Sequence, residues 1–129
     1  TYARLAPVAM AVVAAVLVTQ FPLRDLWSPA TYERSDRIAS AERAVAAVPA
    51  GASVASDRGL IVQLATDREV YWISTDPSVR PDYVVVDRLS WGGNAPVDVE
   101  QYAERAYPGT TYSVVFDEGG YVIVERTAG

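Results

Sequence analysis

The sequence predicts a small layered α/β sandwich with a partly parallel, mixed sheet and a C-terminal β-hairpin, preceded by one transmembrane helix. Three observations lead to this prediction. Residues 83–87 carry one aromatic side chain and three valines in a row, which is typical of a strand buried on both faces. Segments with helical and strand-like patterns alternate around this strand. Residues 5–23 contain no charged side chain.

The composition excludes several kinds of site. The 129 residues fit one domain with a core that needs no disulfide or metal. Cysteine and histidine are both absent, which excludes thiolate nucleophiles, cysteine or histidine metal ligands and an ordinary serine triad. The net charge of −5 argues against nucleic acid as a partner, because phosphates attract a basic surface. We predict neither a cofactor nor a metal.

The charge-free run lies between Arg4 and Arg24. As a helix rising ~1.5 Å per residue it is long enough for the ~30 Å hydrocarbon layer, which predicts a transmembrane helix within residues 1–23 and an α/β domain over 24–129. Two alternatives stay open: a signal peptide, although no clear cleavage site follows, and a buried core helix, although no polar stripe is present. Because the chain begins at Thr1, we expect a processed product or a piece of a longer protein.

The residues after this run give two further indications. Trp27 suits either the headgroup layer of a membrane or a place under the following helix. More arginines follow the run than precede it, which taken alone would place the C-terminal side in the cytoplasm.

The first half of the α/β domain shows two helices and two strands. Ser35 or Asp36 is expected to cap a helix that ends at Val48, and one face of this helix carries Ile38, Ala41, Val45 and Val48. Residues 52–56 form a strand, Asp57 is expected to cap a short helix with Leu60, Ile61 and Leu64, and residues 69–73 form the next strand. A loop over 74–80 leads to the buried strand.

The second half adds one helix and the hairpin. A loop over 90–94 precedes a helix that Asn94 or Pro96 is expected to open. Tyr112, Val114 and Phe116 recur at every second position, glycines follow at 119 and 120, and a second strand begins at Tyr121, which is the pattern of a β-hairpin.

The candidate site residues follow the two parallel strands. The carboxyl ends of such strands usually form the ligand crevice, so we expect Asp57, Arg58, Asp87, Arg88 and Trp91 to meet on one rim. The carboxylates suit acid/base work or a cation, and the arginines suit a phosphate or carboxylate. The structural alternative is a helix cap at Asp57 and an ion pair at Asp87, with the two arginines as partners.

The segment 91–94, Trp-Gly-Gly-Asn, has two readings. It lacks the lysine and the glycine spacing of a phosphate loop. Trp91 suits a platform on which a sugar ring stacks, or it covers an edge of the core.

Four segments carry a family resemblance: 48–55 (Val-Pro-Ala-Gly-Ala-Ser-Val-Ala), 68–71 (Arg-Glu-Val-Tyr), 82–87 (Asp-Tyr-Val-Val-Val-Asp) and 115–121 (Val-Phe-Asp-Glu-Gly-Gly-Tyr). In this order they resemble the C-terminal part of a bacterial family of predicted polytopic membrane proteins of unknown function. That family is similar in plan to the GT-C membrane glycosyltransferases, which use lipid-phosphate sugars. The resemblance implies that 5–23 is the last membrane helix and that 24–129 is extracytoplasmic.

The resemblance also implies that the α/β domain is accessory. The catalytic acidic residue of GT-C enzymes lies in an early loop that is not part of this chain, so no catalytic residue is carried over. Expected partners are membrane lipid and, through the resemblance, a polyprenyl-phosphate sugar or an envelope glycan. The alternative function is a non-enzymatic, membrane-anchored binding or interaction module of the cell envelope.

Overall fold

The computed structural model describes residues 2–20, 22–29, 35–73 and 78–128. The chain divides into two compact units, Thr1–Arg34 and Ser35–Gly129. The loop expected over 74–80 lies largely outside the described residues.

The first unit contains helix α1, Tyr2–Gln20, and a 3-10 helix, Pro22–Trp27. Several large apolar side chains of α1 are about half exposed or more, among them Val8, Met10, Val12, Val13, Val16 and Leu17. Trp27 is 75% exposed. None of the helices in the described residues is long and apolar enough to cross a membrane, so the span expected over 5–23 is not found among them.

The second unit has the α/β class predicted for 24–129, although it begins at Ser35 and residues 24–34 are assigned to the first unit. A five-stranded mixed sheet has the order β2–β1–β3–β5–β4, in which β1, β2 and β3 are parallel and the β4–β5 hairpin is antiparallel. This confirms the partly parallel sheet and the C-terminal hairpin. The strands are β1 Ser53–Ser56, β2 Glu69–Trp72, β3 Tyr83–Asp87, β4 Thr111–Glu118 and β5 Tyr121–Ala128; the helices are α2 Asp36–Ala47, α3 Ile61–Leu64 and α4 Val99–Ala106.

Strand β3 lies at the centre of two cores. All five of its side chains are buried, as the run of valines predicts. Val84 and Val86 pack with α4 on one face of the sheet, whereas Tyr83 and Val85 pack with α2 and α3 on the other face. The alternation of side chains along one strand therefore produces three layers, with helices on both faces of the sheet.

The helix starts follow from their caps, and two of them differ from expectation. Ser35 caps α2 as expected, by accepting a hydrogen bond from the amide of Ile38. Helix α4 begins at Val99 rather than near 94–96, because Asp98 accepts from the amide of Gln101 at 2.9 Å and fixes the first turn there. Asp57 does not cap α3: the residue before α3 is Leu60, and no side chain caps it.

A β-bulge changes the pattern of the hairpin. Val114 pairs with Val124 and Phe116 pairs with Ile123, so Val115 is the extra residue. As a result Tyr112 packs with the α4 core, whereas Phe116 packs against the α2–α3 core. The simple alternation expected for Tyr112 and Phe116 is wrong because a bulge moves the following side chains to the other face.

Candidate functional site

The strands β1 and β3 are parallel neighbours in the sheet, so their carboxyl ends lie side by side. The chain leaves β1 toward α3 on one face, and it leaves β3 through a 3-10 helix, Arg88–Trp91, toward α4 on the other face. In open α/β sheets the crevice between two such divergent connections is the usual place for a ligand. In this protein a buried side chain occupies part of it.

That side chain is Asp57, which is only 5% exposed. Its Oδ2 accepts hydrogen bonds from the Asp87 amide at 2.7 Å and from Nε1 of Trp91 at 2.9 Å. Its Oδ1 accepts from the amide of Gly59 at 2.9 Å. Both oxygens of Asp57 are therefore engaged in holding together the two loops that border the crevice.

Asp87 is also engaged within the fold. Its Oδ2 accepts from Nη2 of Arg37 at 2.6 Å, and its Oδ1 accepts from the amide of Leu89 at 3.0 Å. Gly59 packs directly against this carboxylate, since a Cβ at position 59 would lie 2.6 Å from Oδ2 of Asp87. An ion pair at Asp87 is confirmed, but its partner comes from α2 and not from Arg58 or Arg88.

The two arginines after the strands point to opposite edges of the sheet. Nη1 of Arg88 lies 3.1 Å from both carboxylate oxygens of Asp117, which belongs to the edge strand β4. The guanidinium of Arg58 lies over the ring of Trp72 on β2, the other edge strand, with 5.8 Å between Cζ and the ring centroid. The five predicted site residues therefore do not meet on one rim.

Trp91 packs at the edge of the core. Besides its bond to Asp57, its ring meets that of Tyr102 edge-on, with 5.8 Å between the centroids and an angle of 86°. Next to it lies a small pocket of about 220 Å³ lined by Asp57, Arg58, Trp72, Ser90 and Trp91. Three of the five predicted residues thus border one pocket, whereas Asp87 and Arg88 do not.

A larger cleft opens between α2 and α3, on the face of the sheet that these two helices cover. Its volume is about 500 Å³, within the ~300–1,000 Å³ range of small-molecule sites. The apolar side chains Ile38, Ala41, Val45 and Leu60 line it, together with Ser35, Arg37, Glu42, Ala46, Gly59, Gln63 and Tyr121.

The cleft explains an unexpected feature of α2. The sequence predicts Ile38, Ala41 and Val45 on the buried face of this helix. Val48, the fourth predicted position, is buried, and Ala41 and Val45 are partly buried against the α2–α3 core. Ile38 is 46% exposed, and the fully buried positions within the helix are Ser40 and Ala44. The core therefore covers the apolar stripe of α2 only in part, and the accessible part lines the cleft.

Arg37 supplies a positive charge to the cleft. Its Nη2 is held by Asp87, and its Cζ lies 5.0 Å above the ring of Tyr121. Its Nη1 is buried and has no hydrogen-bond partner among the described residues. Burial raises the pKa of the Tyr121 phenol, so this ring is neutral at physiological pH. A guanidinium held on two sides with one nitrogen unused is suited to an incoming acceptor.

The carboxylates of Asp57 and Asp87 are the acidic groups at the carboxyl ends of β1 and β3. The two carboxylates at the strand ends already accept hydrogen bonds from the fold, so neither is a ready general base. In the part of the chain that the structure describes, no group of three acidic side chains is placed to hold a metal ion.

Sequence reasoning misses Arg37, Gln63 and Tyr121 as cleft residues. Arg37 lies 50 positions from Asp87, and only the tertiary fold joins them. The available signal is the position of Arg37 directly before the apolar stripe of α2, which has more apolar positions than one buried face requires.

No protein-family model, curated protein or solved structure matches this chain. The resemblance to the C-terminal part of polytopic membrane proteins therefore stays a prediction, and the function has to be argued from the geometry alone.

Proposed function

We propose that residues 35–129 form a non-catalytic binding module, and that the cleft between α2 and α3 is its ligand site. The observation that carries this proposal is the partly covered apolar stripe of α2, where exposed Ile38 and half-buried Ala41 and Val45 line a cleft of about 500 Å³. Exposed apolar surface that is concave and bordered by polar groups is typical of a binding site. The engaged carboxylates of Asp57 and Asp87 favour binding over catalysis.

A membrane is the setting that we propose for this module. The exposed apolar side chains of α1 lie at positions 8, 10, 12, 13, 16 and 17, which at about 100° per residue spread around more than half of the helix. A helix apolar on so much of its surface suits contact with lipid. An accessory role in a glycosyltransferase-like membrane protein stays a prediction, and co-sedimentation of the chain with lipid vesicles tests the membrane setting.

Filling the cleft tests the proposed site. Ala41→Trp places an indole among the lining side chains and is expected to weaken binding of dodecyl phosphate at least about tenfold by steric exclusion. The measurement is isothermal titration calorimetry on the whole chain, with the amphiphile below its critical micelle concentration. Shortening the probe from twelve to ten carbons should also weaken binding roughly tenfold, since each buried methylene contributes ~0.8 kcal/mol.

The matched control is Ala47→Trp, which adds the same side chain to an exposed position of α2 outside the cleft. Circular dichroism confirms that both variants keep the helix and sheet content of the parent chain. Equal affinity in Ala41→Trp, Ala47→Trp and the parent would contradict the proposed site.

A further inference from the structure

We propose that the ligand of the α2–α3 cleft is a single-chain amphiphile with an anionic head, a phosphate or a carboxylate, which Arg37 binds. This inference rests on the proposed function and adds the charge of the ligand and the residue that recognises it.

The guanidinium of Arg37 is held in position before any ligand arrives. Asp87, which is 2% exposed, accepts from Nη2 at 2.6 Å, and the ring of Tyr121 lies under the guanidinium plane with 5.0 Å between Cζ and the centroid. Two fixed contacts on a long side chain reduce the rotamer freedom that a ligand would otherwise have to remove. Arg37 is thus oriented in advance.

One nitrogen of this guanidinium is left for a ligand. A guanidinium carries five N–H donors, and Nη1 of Arg37 has no acceptor among the described residues. Nη1 itself is buried, whereas the side chain as a whole is 40% exposed and lines the cleft, so an unsatisfied donor lies beside the cleft. Carboxylates and phosphates offer two or more oxygens to a planar guanidinium, which makes them the acceptors that fit it best.

The other lining residues determine where the head and the alkyl tail of the ligand would lie. The apolar side chains Ile38, Ala41, Val45 and Leu60 suit an alkyl chain. Glu42 also lines the cleft but is exposed, and its negative charge disfavours an anionic head at its own position. An anionic amphiphile therefore has one favoured orientation, with its head at Arg37.

The small pocket beside Trp91 is the weaker candidate for an anion. Arg58 forms no ion pair in the described part of the chain, but it lies over Trp72 and borders a pocket of only about 220 Å³. The carboxylate of Asp57 also lines this pocket, which disfavours an anion there. The experiment below distinguishes the two arginines.

The test compares three heads on one chain length: dodecyl phosphate, dodecyl maltoside and dodecyltrimethylammonium, each titrated into the whole protein below its critical micelle concentration. We expect the phosphate to bind most tightly. Arg37→Gln should weaken dodecyl phosphate by about 10- to 100-fold, since a charged hydrogen bond is lost, and should change dodecyl maltoside by less than about threefold. Arg43→Gln is the matched control, because it removes an arginine of the same helix that pairs with Glu118 outside the cleft.

A second variant guards against misfolding. Arg37→Gln leaves the buried Asp87 without its ion pair, so Arg37→Gln with Asp87→Asn removes both charges and keeps a neutral hydrogen-bonding pair. The double variant should show the same loss for dodecyl phosphate. Arg58→Gln should bind like the parent.

The outcomes separate the two proposals. Equal affinity for the three heads, or no effect of either Arg37 variant, overturns the proposal of an anionic ligand. The cleft is still supported as the binding site if Ala41→Trp weakens binding. Loss of dodecyl phosphate binding in Arg58→Gln alone moves the anion to the other pocket and overturns the role of Arg37. Binding only to phosphate-containing vesicles, with no binding of soluble dodecyl phosphate, identifies a membrane surface as the partner and overturns the single-chain ligand.

Discussion

At the scale of single residues, acidic side chains connect neighbouring strands of the sheet at both ends of those strands. Asp57 and Asp87 do so at the carboxyl ends of β1 and β3. Asp82 does so at the amino ends of the same strands. Its Oδ2 accepts a hydrogen bond from the hydroxyl of Ser53 at 2.7 Å, and its Oδ1 accepts one from Nη2 of Arg126 at 2.5 Å. One carboxylate thus links the start of β1 and the start of β3 to the last strand.

These contacts predict a stability difference that depends on pH. The hydrogen bond from Ser53 and the bonds and charge of Arg126 lower the pKa of Asp82 below its ordinary value of 3.8. A carboxyl group whose pKa is lower in the folded state stabilises the fold above the unfolded pKa, and this contribution is lost as the pH falls through the folded pKa. Asp82→Asn should therefore lower the free energy of unfolding by roughly 1 kcal/mol at pH 7 and by much less near pH 2.

Urea denaturation of the whole chain from pH 7 down to pH 2 measures this difference. Asp36→Asn is the control for loss of an exposed carboxylate, whose charge acts through the first turn of α2 and at a distance on Arg43. A difference between Asp82→Asn and the parent that stays constant over the whole range would show that the charge of Asp82 contributes nothing.

The residue scale is also where sequence reasoning is weakest. Asp57 and Asp87 can be selected from their positions after hydrophobic strands, but their partners cannot. Arg37, which binds Asp87, is 50 residues away in the chain. A side chain reaches its partner through rotamers and packing that no local pattern contains. As a result only three of the five predicted residues, Asp57, Arg58 and Trp91, border one pocket.

At the scale of elements, the sequence predicts most of the domain because each element has a strong local pattern. The valines of β3, the glycines of the hairpin turn and the cap at Ser35 each determine the structure of only a few neighbouring residues. The exceptions have local causes as well. The bulge at Val115 and the cap at Asp98 shift the hairpin faces and the start of α4.

The central position of β3 predicts a large effect of a buried charge. Val85 is fully buried against α2 and α3, so Val85→Asp places a carboxylate in an apolar core and should cost at least ~4 kcal/mol or prevent folding. Val115→Asp is the control, because Val115 is a 44% exposed bulge residue of the edge strand, and should change stability by less than ~1 kcal/mol. Thermal unfolding followed by circular dichroism compares the two, and a near-normal Val85→Asp would contradict the three-layer packing.

At the scale of the whole molecule, the α/β class follows from the order of the elements, whereas the ligand site does not. Connections to opposite faces place a crevice between β1 and β3, and Asp57 occupies part of it with hydrogen bonds to both loops, which leaves a pocket of about 220 Å³. The larger open space lies between α2 and α3, beside the partly covered apolar stripe of α2. The second unit therefore has an open cleft, while the carboxylates of Asp57 and Asp87 are already engaged within the fold.

The most direct test of this account is a titration of the ¹⁵N-labelled whole chain with dodecyl phosphate, followed by amide and indole chemical shifts. We predict that the largest shifts fall on the lining of the cleft, at Arg37, Ala41, Val45 and Gln63, while the indole N–H of Trp91 stays nearly unchanged because Asp57 holds it away from the cleft. Large shifts at the Trp91 indole and at Arg58, with α2 unchanged, would contradict the account and place the ligand at the strand ends.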